Sequence, residues 1–268
     1  MRIVVCAKEV LDPDAVNNYA LAGGLQIGAD GKTLTQSAIP RLMNAYDEQA
    51  IEAALRLRDG GLAAKLAVVS AGTDPASILR QAAALGADET GHVQVDAAAL
   101  DLAAIAKLLA AYVTKTGGAD LILCGRQASD DDQGVVPALL GELLGMPVVT
   151  VARAVVMSGD KAVRVTRVTP DGDETVEVAL PCIVTISNEL GTPRYPTTAQ
   201  TLKARKMKPT AFTPDALGVS AADLAPKVVL TKQFVPTVQG QCEFLSGGSP
   251  AELAQALLTR LRADGAIA

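Results

Sequence analysis

The sequence has no tryptophan, three phenylalanines, four tyrosines and a single histidine, His92. One histidine is too few for a conventional zinc site, and it leaves Ser-His-Asp or Cys-His catalysis without its usual equipment. His92 lies in an alternating strand-like stretch, so we interpret it as structural. The four cysteines stand singly, so no Cys-x-x-Cys pair is present to bind zinc or exchange disulfides. We therefore expect neither a metal site nor a hydrolase-type catalytic centre.

Long hydrophobic runs and a strong charge are missing as well. No run approaches the roughly 18 apolar residues of a membrane span, and the net charge of −5 gives no overall attraction for nucleic acid. A strand pattern begins at the first residues, so we expect no signal peptide, no membrane insertion and a cytoplasmic protein. Because 49% of the residues are hydrophobic but few are aromatic, we expect a core of small aliphatic side chains in helix-on-sheet layers.

Strand and helix signals alternate through the first half of the chain. Strands are predicted over 3–7, 65–70, 92–95 and 121–124, and helices over 48–58, 76–85, 98–112 and 135–144. Residues 11–45 form a long excursion with a hairpin turn at 28–31. This alternation predicts an α/β fold with a doubly wound parallel sheet, which binds ligands at the carboxyl ends of its strands.

From about residue 148 the pattern changes to short alternating strands. Strands over 148–156, 161–168 and 174–179, separated by turn sequences, predict an antiparallel hairpin addition over about 148–180. One more apolar strand, over 181–187, is expected to return to the main sheet. We therefore assign residues 1–187 to a nucleotide-binding α/β domain that carries this hairpin addition.

The remaining residues are assigned to an arm and a helix. Residues 188–227 are turn-rich and poorly periodic, which is typical of a functional segment or of one wrapped on a partner. We assign 188–248 to a partner-recognition loop and extended arm, with a final strand at 227–230, and 249–268 to a C-terminal helix. The helix begins with a capping box at Ser249 and Glu252, and its leucine stripe must be buried against this chain or another.

Residues 124–137 carry the strongest binding signal. A buried strand ends at Cys124, Gly125 allows a sharp turn, and a polar tract leads into the helix predicted from Val135. A strand, a glycine turn and a helix start present backbone N–H groups that bind phosphate well. The alternative is that the aspartates at 130–132 simply cap the helix, and the pattern alone leaves both interpretations open.

Four stretches stand out in order along the chain. They are Val4-Val5-Cys6-Ala7-Lys8, Asn44-Ala45-Tyr46-Asp47-Glu48, the segment from Leu123 to Asp132, and Pro193-Arg194-Tyr195 followed by the basic cluster at 203–208. Taken together, these stretches resemble the beta subunit of electron transfer flavoproteins along essentially the whole chain. The resemblance implies the adenine nucleotide alpha hydrolase-like fold. It also implies a heterodimer whose alpha subunit binds a redox-active FAD and passes electrons from a flavin dehydrogenase to an acceptor.

In this family the beta subunit holds either a structural AMP or, in electron-bifurcating relatives, a second FAD. The resemblance implies a binding site without catalytic residues, because the redox chemistry belongs to the flavin. The implied nucleotide contacts are Cys6, Ala7, Asn44, Ala45, Tyr46, Asp47, Ala71, Gly125, Arg126, Gln127, Ala128, Ser129, Asp130, Asp132, Gln133, Gly134, Val135 and Val136. Arg126 and Ser129 are the expected polar contacts, with the regions of Gly125 and Gly134 as the phosphate cradle.

Two positions depart from the family pattern. The AMP-type sequence Asn-Gln-Thr-Gly is replaced here by residues 134–137, Gly-Val-Val-Pro, and the bifurcating type is not matched either, so AMP and FAD both remain open. The implied docking residues for a dehydrogenase are Arg194, Tyr195, Thr198, Lys203, Arg205 and Lys206. Thr198 stands where the family has an anchoring leucine, and the basic cluster is either a solvated face or a patch for an acidic partner.

A stand-alone ATP-binding module of the universal-stress or ATP-pyrophosphatase type is the alternative function. Residues 70–74 resemble the Ser-Gly-Gly-x-Asp-Ser loop of ATP pyrophosphatases, but Ala71 and Pro75 replace a glycine and the final serine. Residues 149–268 have no obvious use in such a module. These departures favour the electron-transfer subunit.

Overall fold

The computed structural model describes residues 1–35, 37–235 and 242–267. The strands are β1 (Arg2–Cys6), β2 (Glu9–Leu11), β3 (Arg41–Met43), β4 (Lys65–Gly72), β5 (Glu89–Gln94), β6 (Leu121–Gly125), β7 (Val148–Met157), β8 (Ala162–Thr169), β9 (Gly172–Ala179), β10 (Cys182–Ile186) and β11 (Thr210–Phe212). The helices are α1 (Pro13–Leu21), α2 (Ala45–Asp59), α3 (Ala76–Leu85), α4 (Leu102–Lys115), α5 (Val136–Leu144), α6 (Thr198–Ala204) and α7 (Pro250–Ala263). The chain divides into two compact units, Met1–Gln233 and Phe234–Ala268.

The first unit is built on one nine-stranded sheet in the order β11-β5-β4-β1-β6-β10-β7-β8-β9. All neighbours from β11 to β7 are parallel, and β7, β8 and β9 are antiparallel. The predicted return of the strand after residue 181 is confirmed, because β10 lies between β6 and β7. The predicted parallel sheet with an antiparallel hairpin addition is therefore confirmed.

Helices cover both faces of this sheet. Ile51 of α2 and Leu79 of α3 belong to one buried cluster, and Leu108 of α4 and Leu140 of α5 belong to the other. Each such side chain is less than 2% exposed, and burying one contributes about 1.5–3 kcal/mol relative to leaving it in water. The sheet is therefore doubly wound, and its core consists mainly of aliphatic side chains.

Helix boundaries follow local signals closely. α3 occupies the predicted residues 76–85, and α2 ends before Gly60 as predicted but begins three residues earlier than expected. The capping box of α7 is present: the Ser249 hydroxyl accepts from the Glu252 amide, and the Glu252 carboxylate accepts from the Ser249 amide. None of the residues of α7 is buried. No helix in the described part of the chain is long and apolar enough to cross a bilayer.

The strand predicted at 227–230 is wrong, since these residues form no strand. The backbone amides of Lys227 and Val228 donate to the Asp101 carboxylate at 2.5 and 3.1 Å. Asp101 also caps α4 by accepting from the Ala104 amide at 2.9 Å. The Asp101 carboxylate thus accepts from the backbone amides of Lys227 and Val228, which a strand would have paired with a neighbouring strand.

Regular structure was missed in two places. The excursion at 11–45 contains α1 and the antiparallel pair β2–β3, besides the confirmed turn in which the Gly28 amide donates to the Thr33 carbonyl. The segment 188–227 contains α6 and β11, and β11 forms the outer edge of the main sheet beside β5. The predicted cytoplasmic location and the domain boundaries stay predictions.

Candidate functional site

Three parallel strands end side by side at one edge of the sheet. β1, β4 and β6 are neighbours, and Cys6 of β1 lies in register with Val69 of β4 and with Cys124 of β6. The residues that follow, including Ala7, Ala71 and Gly125, therefore lie at the carboxyl edge. This is the edge at which doubly wound sheets bind ligands.

Asp47 joins the ends of two of these strands. Its buried carboxylate accepts from the Lys8 amide at 2.8 Å and from the Gly125 amide at 2.9 Å. Burial raises the pKa of the Asp47 carboxyl to about 7, although these hydrogen bonds oppose the shift. Because Asp47 lies in the first turn of α2, the start of this helix is fixed to β1 and to β6.

Asn44 holds the loop that follows β6. Its Nδ2 donates to the Gln127 carbonyl at 2.8 Å, and its Oδ1 accepts from the Ser129 amide at 3.2 Å. Although Asn44 is the N-cap residue of α2, its side chain makes no cap hydrogen bond. The asparagine thus serves the loop rather than its own helix.

Arg126 ties the same loop to α2 and to β10. Its guanidinium lies 5.7 Å from the centre of the Tyr46 ring, a cation–π distance. It also donates to Gln127 Oε1 at 3.2 Å and to Ser187 Oγ at 3.4 Å, while its backbone amide donates to the Ile186 carbonyl. The predicted site residues at 44–47 and 125–129 are therefore in direct contact.

The aspartates do not cap α5, so the capping interpretation is wrong. Lys8 Nζ donates to Asp130 at 2.7 Å and to Asp131 at 3.1 Å, and Asp132 accepts from Gln127 at 2.7 Å. The N-cap residue of α5 is Val135, which offers no side-chain acceptor. Residues 133–135 separate the aspartates from the start of α5, so the first amides of α5 are left for another acceptor.

Lys8 is a residue of this edge that the sequence did not single out. Burial lowers the pKa of its ammonium group, but hydrogen bonds and charge attraction from Asp130 and Asp131 outweigh burial, so the pKa is raised. A permanently charged lysine cancels part of the negative charge in the loop. Its place directly after β1, in a matched motif, is the signal that could have identified it.

One buried polar atom of the loop has no protein partner in the described part of the chain. Ser129 Oγ is buried and unbonded. Leaving a buried hydroxyl unpaired costs about 1–3 kcal/mol. An unpaired hydroxyl beside Asn44 and Asp130 therefore fits a ligand whose own polar atoms supply the missing hydrogen bond.

Two glycines of the loop are required by space and by backbone conformation. A Cβ on Gly125 would lie 2.5 Å from Asp47 Oδ1 and 2.6 Å from Tyr46 Cβ. Gly134 has φ +61°, and a Cβ there would lie 2.8 Å from the Arg126 carbonyl oxygen. Both positions bring segments of the protein closer together than a side chain would permit, and the phosphate cradle stays a prediction.

A cavity of about 260 Å³ opens beside the first turn of α5. Its lining includes Arg126, Gln133 and Gly134 from the loop, and Thr150 and Thr185 from β7 and β10. Thr185 Oγ1 accepts from the Val151 amide at 2.9 Å, where a bulge in β7 places Val151 at φ 61°. No sequence pattern pointed to these strand residues, because the bulge and the strand order bring them to the cavity.

The family is decided by comparison with known proteins. The family model described as electron transfer flavoprotein domain matches residues 31–217. The electron transfer flavoprotein subunit beta of Thermoanaerobacterium thermosaccharolyticum is 35% identical over 97% of this chain and 98% of its own. The chain belongs to the electron transfer flavoprotein beta-subunit family.

Two further relatives span nearly the whole chain. The human electron transfer flavoprotein subunit beta is 32% identical over 100% of this chain and 99% of its own. Subunit CarD of the caffeyl-CoA reductase-Etf complex of Acetobacterium woodii is 33% identical over 98% of both chains. The predicted resemblance is confirmed, and the family assigns the chain to flavoprotein electron transport rather than to the stand-alone nucleotide-binding modules.

The segment predicted to dock a partner, residues 191–208, is called the docking segment and lies against α2. The Arg194 guanidinium donates to both carboxylate oxygens of Glu52, at 2.8 and 3.2 Å, and to Asp59 at 2.6 Å. Arg56 donates to Glu52 and to the Leu190 carbonyl. Burial would raise the pKa of the Glu52 carboxyl, but the hydrogen bonds from Arg194 and Arg56 outweigh it and the pKa is lowered.

The other predicted docking residues are exposed, whereas Arg194 contacts Glu52 and Asp59. Tyr195 is 89% exposed. Thr198 begins α6, whose capping box is formed by Thr197 and Gln200. Lys203, Arg205 and Lys206 are exposed. The docking segment is thus fixed at Arg194 while its remaining polar side chains face outward.

Glu52→Gln is expected to loosen this segment, because an uncharged amide replaces a carboxylate that accepts from two arginines. We expect the free energy of unfolding to fall by about 2 kcal/mol and trypsin to cut faster after the basic residues at 203–208. Glu177→Gln is the matched control, since it removes an ion pair from the exposed strand β9. Equal cleavage rates in both variants would mean that Glu52 does not hold the segment.

Proposed function

We propose that this chain is the beta subunit of a heterodimeric electron transfer flavoprotein and that its carboxyl edge holds the AMP moiety of a nucleotide. That moiety is either AMP itself or the adenylate half of a second FAD. The observation that carries the proposal is the set of unused hydrogen-bonding groups in the loop at 125–136. Asn44 and Asp47 hold the backbone of this loop. The Ser129 hydroxyl and the first amides of α5 are left for a ligand.

The residues of the loop suit an anionic ligand. The amides of Gly134, Val135 and Val136 lie where the positive end of the α5 dipole favours a phosphate. Arg126 adds a positive charge, and Lys8 offsets the charge of Asp130 and Asp131. Cys6, Ala7 and Ala71 lie at strand ends of the same edge, where small side chains let an adenosine approach the backbone.

The role of this chain in electron transfer is to bind and to orient. When bound, a flavin supplies the redox chemistry through its ring system. An alpha subunit carries the redox-active FAD, which takes electrons from a flavin dehydrogenase and delivers them to an acceptor. The chain itself is not an enzyme, because it contributes binding surfaces and no catalytic centre.

Two surfaces are proposed to contact partners. In the docking segment, Arg194 acts as a positioning residue, and Tyr195, Thr198, Lys203, Arg205 and Lys206 meet the dehydrogenase. In the second unit, α7 exposes 48% of Leu257 and 40% of Leu258. An amphipathic helix that buries none of its residues in its own chain fits the alpha subunit as the surface that covers it.

The nucleotide content of the co-expressed heterodimer tests the proposal. We expect one FAD and one AMP per heterodimer if this chain holds a structural nucleotide, or two FAD and no AMP if it holds a second flavin. The nucleotides are released by denaturation and quantified by chromatography. Finding one FAD and no second nucleotide would contradict the proposal.

The Ser129→Ala variant makes this test specific for the site. Removing an unpaired buried hydroxyl should leave the nucleotide-free chain at least as stable as the wild type, but the second nucleotide should bind about tenfold more weakly. The exposed Ser220→Ala variant is the control, since its hydroxyl only bonds Asp223 near the surface. Equal nucleotide retention in the two variants would remove Ser129 from the site.

A further inference from the structure

Two cysteines face each other across neighbouring strands at the carboxyl edge. Cys6 of β1 and Cys124 of β6 are register partners in a parallel pair. Both side chains belong to the cluster under α4 and α5, so they lie on the same face of the sheet. Neighbouring strands are about 4.8 Å apart. This spacing lies within the Cα separation of about 4.4–6.8 Å that a disulfide requires.

The thiols already interact. Both cysteines are free thiols and are 8% and 4% exposed. The hydrogen bond with Cys6 and then burial raise the pKa of the Cys124 thiol well above its ordinary value. Cys124 therefore keeps its proton at neutral pH, and the less buried Cys6 is the thiol that reacts first with an oxidant.

We propose that Cys6 and Cys124 are a dithiol pair that hydrogen peroxide converts into a disulfide at the carboxyl edge of the sheet. The Cys6 sulfur attacks one peroxide oxygen and the O–O bond breaks. The leaving hydroxide takes the Cys6 thiol proton to form the first water, and Cys6 becomes a sulfenic acid. The Cys124 sulfur then attacks the Cys6 sulfur, the S–O bond breaks and a second water leaves. Two thiols lose two electrons, and one hydrogen peroxide becomes two waters. A small dithiol restores both thiols by exchange.

In the described part of the chain, the other two cysteines have no such cysteine partner. Cys182 of β10 is in register with Leu121, and its side chain belongs to the cluster on the opposite face of the sheet. Cys242 lies in the second unit and is exposed. Cys182 is therefore the control for a buried cysteine without a cysteine partner. Oxidation of the exposed Cys242 shows whether the oxidant was active.

Peptide mapping of the full-length chain, purified with the partner it carries, tests the proposal. The complex is treated with hydrogen peroxide, alkylated and digested with trypsin. We expect peptides 3–8 and 116–126 to appear joined and lighter by two hydrogen atoms, and to separate after reduction. If these peptides stay unlinked while Cys242 is oxidised, or if Cys6 accumulates only as a sulfinic acid, the proposal is overturned.

Variants and a ligand sharpen the result. Cys6→Ala should slow oxidation of Cys124 at least about tenfold, because the neighbouring sulfur supplies the high effective concentration. Cys182→Ala should leave the cross-link unchanged. Unchanged Cys124 oxidation in the Cys6→Ala variant would overturn the proposal. Added AMP should slow cross-linking if the nucleotide lies over Cys6, and a failure of this arm alone contradicts the nucleotide placement and leaves the dithiol pair standing.

Discussion

Asp47→Asn is expected to destabilise the protein by about 2 kcal/mol near pH 8 and to weaken binding of the nucleotide that we propose for this subunit. The Asp47 carboxylate accepts from two backbone amides, one from Lys8 and one from Gly125. An asparagine has a single oxygen, so one of these buried amides meets an NH₂ group. A buried donor left unpaired costs about 1–3 kcal/mol. The loop that Gly125 begins would lose its attachment to α2.

The difference in free energy of unfolding between the wild type and the Asp47→Asn variant is expected to depend on pH. Burial raises the pKa of Asp47 to about 7, above its unfolded value of 3.8. The folded state therefore binds this proton more tightly, so its contribution to stability is full below the unfolded pKa and is lost as pH rises toward 7. Between about pH 5.5 and 7 the wild type should lose about 2 kcal/mol relative to the asparagine variant.

Urea unfolding at several pH values checks both parts of this prediction. The matched control is Asp171→Asn, which removes the same charge from an exposed turn between β8 and β9. It should change the free energy of unfolding by less than about 0.5 kcal/mol at every pH. A pH-independent difference between wild type and the Asp47→Asn variant would show that the buried carboxyl titrates in its ordinary range.

Gly125→Ala is expected to cost about 1–3 kcal/mol of stability and to abolish nucleotide binding in this subunit. The new Cβ would lie 2.5 Å from Asp47 Oδ1, 2.6 Å from Tyr46 Cβ and 2.9 Å from the Tyr46 carbonyl carbon. All three atoms belong to the start of α2, and the two Tyr46 atoms do not move without the helix. The methyl group therefore separates β6 from α2 and breaks the Asp47–Gly125 hydrogen bond.

Gly72→Ala provides the control for this substitution. Gly72 also ends a central strand at the carboxyl edge, but a Cβ there would have only Pro75 Cδ within 4 Å, at 3.9 Å. We expect its melting temperature to stay close to that of the wild type. Because Gly125→Ala and Asp47→Asn disrupt the same contact, the double variant should lose less stability than the sum of the two. Additive losses would mean that the two residues act independently.

Local signals were sufficient for most helices and for the hairpin addition. α3 follows its apolar period and ends at Gly86, which has φ +124°, and α7 begins at its capping box. The turns after residues 158 and 170 join β7, β8 and β9 as expected. Asp12 and Pro13 carry a comparable start signal for α1, since Asp12 accepts from two first-turn amides. This helix was missed because residues 11–45 were interpreted as one long excursion.

The elements that were missed depend on distant partners. β11 is three residues long and exists because it pairs with β5, more than a hundred residues earlier in the chain. Residues 227–230 have strand-forming side chains, yet the amides of Lys227 and Val228 donate to Asp101. Short segments of this kind have weak local preference, so a single tertiary contact decides their conformation.

In the candidate site, too, some features followed from the sequence and others depend on distant partners. The position of the loop at 125–136 and the small residues at the strand ends followed from the sequence, because parallel strands must end at a common edge. The hydrogen-bond partners of the polar side chains did not follow from the sequence. Lys8 reaches Asp130 and Asp131, which the sequence equally allowed as helix caps, and Thr185 comes beside Val151 through a bulge in β7.

The sequence by itself determined the doubly wound α/β fold, the hairpin addition, the family and the position of the loop that we propose as the nucleotide site, because hydrophobic period, turn residues and motif order are local properties of the chain. Only the tertiary structure decided that Asp47 is buried between Lys8 and Gly125, that Arg194 is bound to Glu52, and that Cys6 faces Cys124. Each of these contacts joins residues between 39 and 142 positions apart. Their energy depends on burial and geometry that appear only when the strands and helices are assembled.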